Sequence, residues 1–122
     1  MNKKQYKVIV TPFAEAALQA YDDYLRLELF ADQAADDWIE LFGQEAKSLA
    51  FMPEKFPPVE KEPWHSEGIH CHPVKGINIY FWINAELGKV YITDVVSQRM
   101  NQDKRLIESC LAFYQDQLKA MD

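Results

Sequence analysis

The residues from Gly68 to Arg99 alternate between apolar and polar or aromatic positions with a period of two. The clearest run is Ile77–Ile83, a continuous stretch of β-branched, aromatic and Asn residues. A period of two is typical of a strand with two different faces, and these residue types favour strands. Shorter runs on either side, with a Lys75-Gly76 turn, predict two neighbouring strands. We therefore predict a three-stranded antiparallel meander.

The flanking segments have apolar residues at helical spacing instead. Two helices are predicted, capped by Thr11 and Asp32, and a last helix capped by Asn101 or Asp103. The helical pattern is interrupted near Phe30, which separates the first helix from the second. The predicted buried stripes are Ala14, Ala17, Leu18, Tyr21 and Leu25 in the first helix, Ala35, Trp38, Ile39, Phe42, Ala46 and Leu49 in the second, and Leu106, Ile107, Cys110, Leu111, Tyr114, Leu118 and Met121 in the last.

The remaining segments complete a β, α, α, β, β, β, α order. Tyr6–Val10 is β-rich and predicts a first strand, while prolines mark residues 52–67 as an extended connector. Both early helices have a stripe to bury, so we expect a helical hairpin packed on the sheet. The sequence predicts an α+β fold in a single domain spanning residues 1–122.

Charge and cysteine content narrow the functional classes. The net charge is −6, and the acids concentrate between Pro12 and Ala50. This argues against a broad nucleic-acid surface and leaves room for a small basic site in the meander half. Cys71 and Cys110 fit reduced thiols better than a disulfide framework. Because no secretory or membrane-spanning run is present, we expect a cytoplasmic protein.

The meander's two faces carry the candidate chemistry. A two-residue turn places His72 opposite Ile79 and His70 opposite Phe81, so both histidines share the aliphatic face. A His-x-His pair can chelate a metal, but no third ligand is evident, and hydrogen-bonded histidines are expected instead. Asn78, Tyr80, Trp82 and Cys71 share the other face. Either the last helix or a partner covers that aromatic face, and we predict that a partner covers it.

Several of these segments together resemble the RelE/ParE toxin superfamily of bacterial type II toxin–antitoxin systems and plasmid stabilisation proteins. The matching features are Tyr6–Pro12, the proline-marked end of the helical hairpin, and the run from Gly68 through Tyr80 to Arg99. The resemblance extends from Tyr6 to Leu106. It implies a RelE/ParE-like fold and a cognate antitoxin as partner.

The resemblance also implies a mechanism, ribosome-dependent mRNA cleavage that inhibits translation without cofactor or metal. Arg99 would stabilise charge on the scissile phosphate, and Tyr80, Lys75 and His70 would move protons. Asn78, Trp82, Lys104 and Arg105 are the expected binding residues. Asn78 occupies a middle-strand position where the family is expected to have a basic residue.

The resemblance is also compatible with two other functions. One is a non-enzymatic ParE-type toxin that binds DNA gyrase, and another is a degenerate, non-toxic member. The expected partner is accordingly an antitoxin. The expected target is either the ribosome with its mRNA or DNA gyrase. A homodimer is also allowed, and no membrane is expected.

Overall fold

The computed structural model describes residues 5–120 as one sheet with helices on both faces. The sheet order is β1-β4-β3-β2. The strands are β1 (Lys7–Val10), β2 (Ile69–Val74), β3 (Ile77–Asn84) and β4 (Lys89–Ser97). The helices are α1 (Pro12–Asp23), α2 (Asp32–Ser48), the short α3 (Trp64–Glu67) and α4 (Gln102–Ala120), with a π-helical turn at Tyr24–Glu28 and a 3-10 turn at Pro53–Lys55.

The predicted meander is present, and β1 adds a fourth strand. β2, β3 and β4 pair antiparallel in sequence order, whereas β1 pairs parallel with β4 at the sheet edge. The Lys75-Gly76 turn has φ values of 45° and 85°, the positive region that a tight hairpin requires. Its register confirms the predicted pairs, with His72 opposite Ile79 and His70 opposite Phe81.

A β-bulge interrupts the β3–β4 ladder. Tyr80 pairs with Asp94, but the next residue, Phe81, pairs with Ile92. The extra residue, Thr93, donates its hydroxyl to the Tyr80 carbonyl at 3.3 Å. A bulge changes which side chains share a face, and here it turns Asp94 towards α4.

The helical hairpin covers the aliphatic face of the sheet, as predicted. Thr11 caps α1, its hydroxyl accepting from the Ala14 amide at 3.3 Å. The predicted cap at Asp32 is wrong by one position, because Ala31 is the N-cap and Asp32 is the first helical residue. The core on this face combines Ala14, Leu25, Ala35, Trp38, Ala46 and Leu49 with Val74, Ile77, Ile79, Phe81, Val90, Ile92 and Val95.

Two predicted details of this half of the chain need correction. Ile39, placed in the buried stripe of α2, is 53% exposed, because the predicted stripe was wider than the surface that the sheet offers. The connector is only partly extended, since it contains the 3-10 turn and α3. Trp64 of α3 is buried and packs against the opposite face of the sheet.

Helix α4 covers much of that opposite face, including Asn78 and Tyr80, which were predicted to lie under a partner. Asn101 caps it, accepting from the Lys104 amide at 3.1 Å. Leu106, Cys110 and Phe113 are its buried apolar residues. Four residues predicted to be buried are instead exposed, because α4 meets the sheet along one narrow stripe: Ile107, Leu111, Tyr114 and Leu118. The predicted contact at Met121 lies outside the described residues.

Candidate functional site

A groove of about 730 Å³ opens between α1 and the end of the sheet where β3 begins and β4 finishes. We call it the α1–sheet groove. Its floor is apolar and aromatic, and its rim is basic. The lining residues are Phe13, Ala16, Ala17, Ala20, Tyr21, Tyr24, Trp38, Lys75, Gly76, Ile77, Val95, Ser97, Arg99, Met100 and Arg105.

Local backbone geometry positions two cations at the rim. Lys75 lies in the β2–β3 turn, whose positive φ angles turn the chain within two residues. The Gln98 amide donates to the Gly76 carbonyl at 2.8 Å, which ties the end of β4 to that turn. Arg99 follows immediately, so the turn and the strand end place Lys75 and Arg99 on the same groove. Both residues are exposed.

Within the described part of the chain, the charges of these two cations are left unpaired. Among residues 5–120, no carboxylate forms an ion pair with Lys75 or Arg99. An exposed guanidinium and an exposed ammonium remain available to an anionic group of a ligand or partner. The predicted exposure of Arg99 at the strand end is therefore met.

The third cation of the groove, Arg105, has a partner within the fold. Its Nε and Nη2 atoms donate to the two carboxylate oxygens of Asp94 at 3.1 and 2.8 Å. The guanidinium also lies 4.8 Å from the Phe13 ring centroid, which links α4 to α1. Arg105 was predicted as a binding residue, and in this structure its charge serves a buried acid.

Asp94 is fully buried and is the acid that this arrangement satisfies. Burial raises the pKa of its carboxyl, and the hydrogen bonds and charge of Arg105 oppose that rise. The Val95 amide also donates to Asp94 Oδ1 at 2.8 Å. Sequence reasoning missed this residue, although one acid inside the apolar run of β4 was a usable signal.

Tyr80 and Asn78 lie away from the groove, on the face that α4 covers. The Tyr80 hydroxyl donates to Gln102 Oε1 at 2.8 Å, and Asn78 Nδ2 donates to the same oxygen at 3.2 Å. Gln102 is the first residue of α4. Burial raises the pKa of Tyr80 to about 12. The fold therefore holds the Tyr80 proton in a hydrogen bond beneath its own helix.

His70 and His72 lie on the aliphatic face and bind neighbouring groups. His70 Nδ1 is 2.7 Å from the Phe56 carbonyl, and its ring stacks on Phe81 at 5.2 Å. His72 Nε2 is 2.6 Å from Glu45 Oε2. Hydrogen-bonded, partly buried histidines were expected here. Among the described residues, no three His, Cys, Asp or Glu side chains cluster as metal ligands.

The predicted site residues thus divide among separate surfaces. Lys75, Arg99 and Arg105 line the groove. Asn78 and Tyr80 lie under α4, and His70 lies near the connector. The other two predicted binding residues lie elsewhere, Lys104 exposed on α4 and Trp82 partly exposed beside Phe113.

The aromatic groove floor was not foreseen as a site. Phe13 and Tyr24 were not assigned to it, and Tyr21 and Trp38 were read only as core. A usable signal was the small-residue set Ala16, Ala17 and Ala20 on α1, which lowers one wall of the groove. Small side chains allow another chain to approach closely, but they do not by themselves identify a binding site.

Solved structures share this arrangement of helices and strands, among them the following two. A chain of the chromosomal ParDE toxin–antitoxin system from P. aeruginosa superposes with a TM-score of 0.59 and 17% identity, over 77% of this chain and 97% of that chain. A chain of the RelBE2 toxin–antitoxin complex from Mycobacterium tuberculosis gives 0.54 and 18% identity, over 79% and 97% respectively. The fold is RelE/ParE-like.

The predicted fold class is thereby confirmed. The similarity to these proteins was found by comparing structures. No protein-family model and no curated protein sequence matches the chain. None of the described helices is long and apolar enough to cross a membrane. At such low identity a RelE/ParE-like fold can persist while side chains at the site change, so function has to be argued from the residues present.

Proposed function

We propose that the protein is the toxin of a type II toxin–antitoxin pair and that the α1–sheet groove is its working surface. The observation that carries this proposal is the pair of unneutralised cations, Lys75 and Arg99, at the rim of an apolar groove. The protein as a whole has a net charge of −6. A local positive rim on an acidic protein favours an anionic patch of a partner at this place.

Binding of a protein target is better supported than RNA cleavage. Cleavage requires groups for proton transfer and charge stabilisation on one surface. Of the four predicted catalytic residues, only Lys75 and Arg99 meet in the groove, while Tyr80 and His70 are hydrogen-bonded elsewhere. The apolar, aromatic floor suits protein side chains. This is the mode that the resemblance implies for gyrase-inhibiting toxins.

Ribonuclease activity is the second candidate, and one observation favours it. The Tyr24 side chain lines the same groove as Lys75 and Arg99 and is half exposed. Two cations can hold a phosphate while a phenol hydroxyl takes part in proton transfer. In that case the site uses Tyr24, which is not among the residues predicted from the sequence.

An antitoxin is the partner that we propose for α4. Ile107, Leu111, Tyr114 and Leu118 form an exposed apolar stripe whose members are three or four residues apart. This is the spacing by which one helix packs along another. The two solved structures described above, which share this fold, come from toxin–antitoxin systems. A helix of the antitoxin lying along the stripe would cover it.

Growth of a bacterial host tests the proposal. Induced expression of the wild type alone should arrest growth, and Arg99→Ala and Lys75→Ala should each relieve the arrest at equal soluble yield. Lys104→Ala, an exposed cation outside the groove lining, is the matched control and should remain toxic. Unimpaired growth with abundant folded wild type would contradict the toxin assignment.

The mode of action is tested on the same cells. Target binding predicts intact mRNA together with a protein that co-purifies with the wild type and not with Arg99→Ala. Reproducible mRNA cleavage at defined positions, abolished by Tyr24→Phe and Arg99→Ala, would instead establish the ribonuclease alternative. Intact mRNA in arrested cells, with supercoiling inhibited, would identify gyrase as the target.

A further inference from the structure

A second, smaller cavity of about 260 Å³ lies between α4 and the end of β3. It shares no lining residue with the α1–sheet groove. One end carries a carboxylate, and the walls are largely aromatic. Its lining residues are Glu67, Ile69, Trp82, Asn84, Cys110, Phe113, Tyr114 and Gln117. We call it the Glu67 pocket.

The carboxylate at the end of this pocket is incompletely satisfied. Glu67 Oε2 is shielded from solvent, and no donor in residues 5–120 hydrogen-bonds it. Buried polar atoms are nearly always hydrogen-bonded, and a charged one without a donor is costly. None of the residues lining the pocket is basic. The pocket therefore lacks a positively charged hydrogen-bond donor.

Two neighbouring groups respond to the charge of Glu67. Loss of water around the hydroxyl, then its hydrogen bond to Glu67, and then the negative charge of Glu67 raise the pKa of Tyr114 to about 12. Burial and the same negative charge raise the pKa of Cys110 to about 11. Both side chains line the pocket, so the carboxylate charge acts on its interior.

Aromatic rings form the rest of the enclosure. Trp82 lies 5.7 Å from Phe113, Phe113 lies 6.3 Å from Tyr114, and Tyr91 backs the group at 5.3 Å from Phe113, all between ring centroids. Gly68 has a φ of 80°, and a Cβ there would lie 3.5 Å from Trp82 Nε1. The indole edge therefore packs against the backbone that follows Glu67.

This combination matches the chemistry of cation recognition. Aromatic faces attract an ammonium or guanidinium through their quadrupoles, most strongly where water is displaced. A carboxylate adds charge and accepts its hydrogen bonds. A neutral apolar ligand would leave Glu67 Oε2 without a donor, and an anion would be repelled. The side-chain amides of Asn84 and Gln117 add polar groups to the lining.

We propose that the Glu67 pocket binds the basic side chain, lysine or arginine, of a protein partner. The alkyl stem lies against Trp82 and Phe113. The Glu67 carboxylate, whose Oε2 is shielded in the free protein, turns towards the pocket and accepts a hydrogen bond from the cationic head. Tyr114 belongs both to the pocket lining and to the exposed stripe of α4. A partner helix on that stripe can thus present the side chain. Only the identity of the partner as an antitoxin rests on the proposed function.

Small blocked amino acids test the chemistry without a known partner. The probes are N-acetyl-lysine methylamide, N-acetyl-arginine methylamide and the neutral N-acetyl-norleucine methylamide, titrated into ¹⁵N-labelled protein. The Trp82 indole N–H signal, assigned by its loss in Trp82→Phe, should shift saturably with the two cationic probes and not with the neutral one. The shifts should weaken as ionic strength rises.

Substitutions identify the groups responsible. Glu67→Gln, which keeps the size of the side chain and removes its charge, should weaken binding of the cationic probes about tenfold, as loss of a charge-assisted hydrogen bond implies. Glu60→Gln changes an exposed carboxylate of the same connector and should leave binding unchanged. Equal shifts with the neutral probe, or undiminished binding in Glu67→Gln, would overturn the proposal.

Tetramethylammonium separates a side chain from a free small cation. It has no N–H or O–H to donate to Glu67 Oε2, so it should bind more weakly than the lysine probe. Tighter binding of tetramethylammonium would show that the pocket serves a small quaternary ligand and would overturn the proposal. If the growth test fails but the cationic probes bind, only the assignment of the partner as an antitoxin is contradicted. If growth is arrested but the cationic probes do not bind, only the proposed role of the Glu67 pocket is contradicted.

Discussion

Replacing Arg105 with methionine should destabilise the fold through the acid that it leaves behind. Methionine retains an apolar side chain of similar length against Phe13, so the main loss is the pair of hydrogen bonds to Asp94. Removing one partner of a buried ion pair typically costs 3–5 kcal/mol, roughly a third of the stability of an ordinary domain. The Arg105 side chain is 23% exposed. Because water can then reach the carboxylate, we expect the free energy of unfolding to fall by about 3 kcal/mol, the lower end of that range.

The sign of the pH dependence gives this prediction a second measurable consequence. Burial raises the pKa of Asp94 above its ordinary value, and Arg105 opposes that rise. Without Arg105 the pKa rises further, and a carboxyl with a raised folded-state pKa loses stability as pH increases through it. The deficit of Arg105→Met should therefore be larger at pH 7 than at pH 5, because acid favours the protonated carboxyl of Asp94, which carries no unpaired charge.

Urea unfolding at pH 5 and pH 7 measures these differences in the free energy of unfolding. The proteins compared are the wild type, Arg105→Met and the exposed control Lys104→Met. Lys104→Met should stay within about 0.5 kcal/mol of wild type. Adding Asp94→Asn to Arg105→Met removes the unpaired charge and should recover part of the lost stability. A deficit below about 1 kcal/mol, or one that is identical at the two pH values, would refute the reasoning.

Three further predictions concern the fold. Thr11→Ala should cost about 1–2 kcal/mol in urea unfolding, because the hydroxyl caps α1; an unchanged midpoint would contradict this. Leu106→Ala should cost about 2–5 kcal/mol, whereas Leu111→Ala on the exposed side of α4 should cost under about 0.5; equal losses would contradict the orientation of α4. Because Cys71 and Cys110 have pKa values raised to about 11, chiefly by burial, iodoacetamide at pH 8 should label the native protein much more slowly than the urea-unfolded protein, as followed by mass spectrometry.

Local patterns predicted most of the fold, since each depends on neighbouring residues. The turn at Lys75-Gly76 determined the strand register, and Thr11-Pro12 marked the start of α1. The β-bulge was harder to predict, because it breaks the alternation of β4 only once, between Ile92 and Val95. The orientation of α4 was also not encoded locally. Its apolar residues occupy more of the helix surface than one sheet face can bury.

The candidate site was less predictable because it is built by contacts between distant segments. Lys75 and Arg99 meet only because the end of β4 is bonded to the β2–β3 turn. The predicted catalytic set grouped Tyr80 with them, but Tyr80 lies on the opposite face of the sheet, beneath Gln102. The Glu67 pocket joins α3, the end of β3 and α4, which no single motif connects.

The parallel pairing of β1 with β4 has a consequence for the order in which the chain can fold. Lys7 pairs with Lys89, so this edge of the sheet closes around both long helices and the connector. The β2–β3–β4 meander has only local turns and can form early, whereas closing a long loop costs chain entropy before it gains contacts. During synthesis β1 emerges first and must wait for β4. Until then its backbone donors and acceptors remain open to incorrect pairing with other strands.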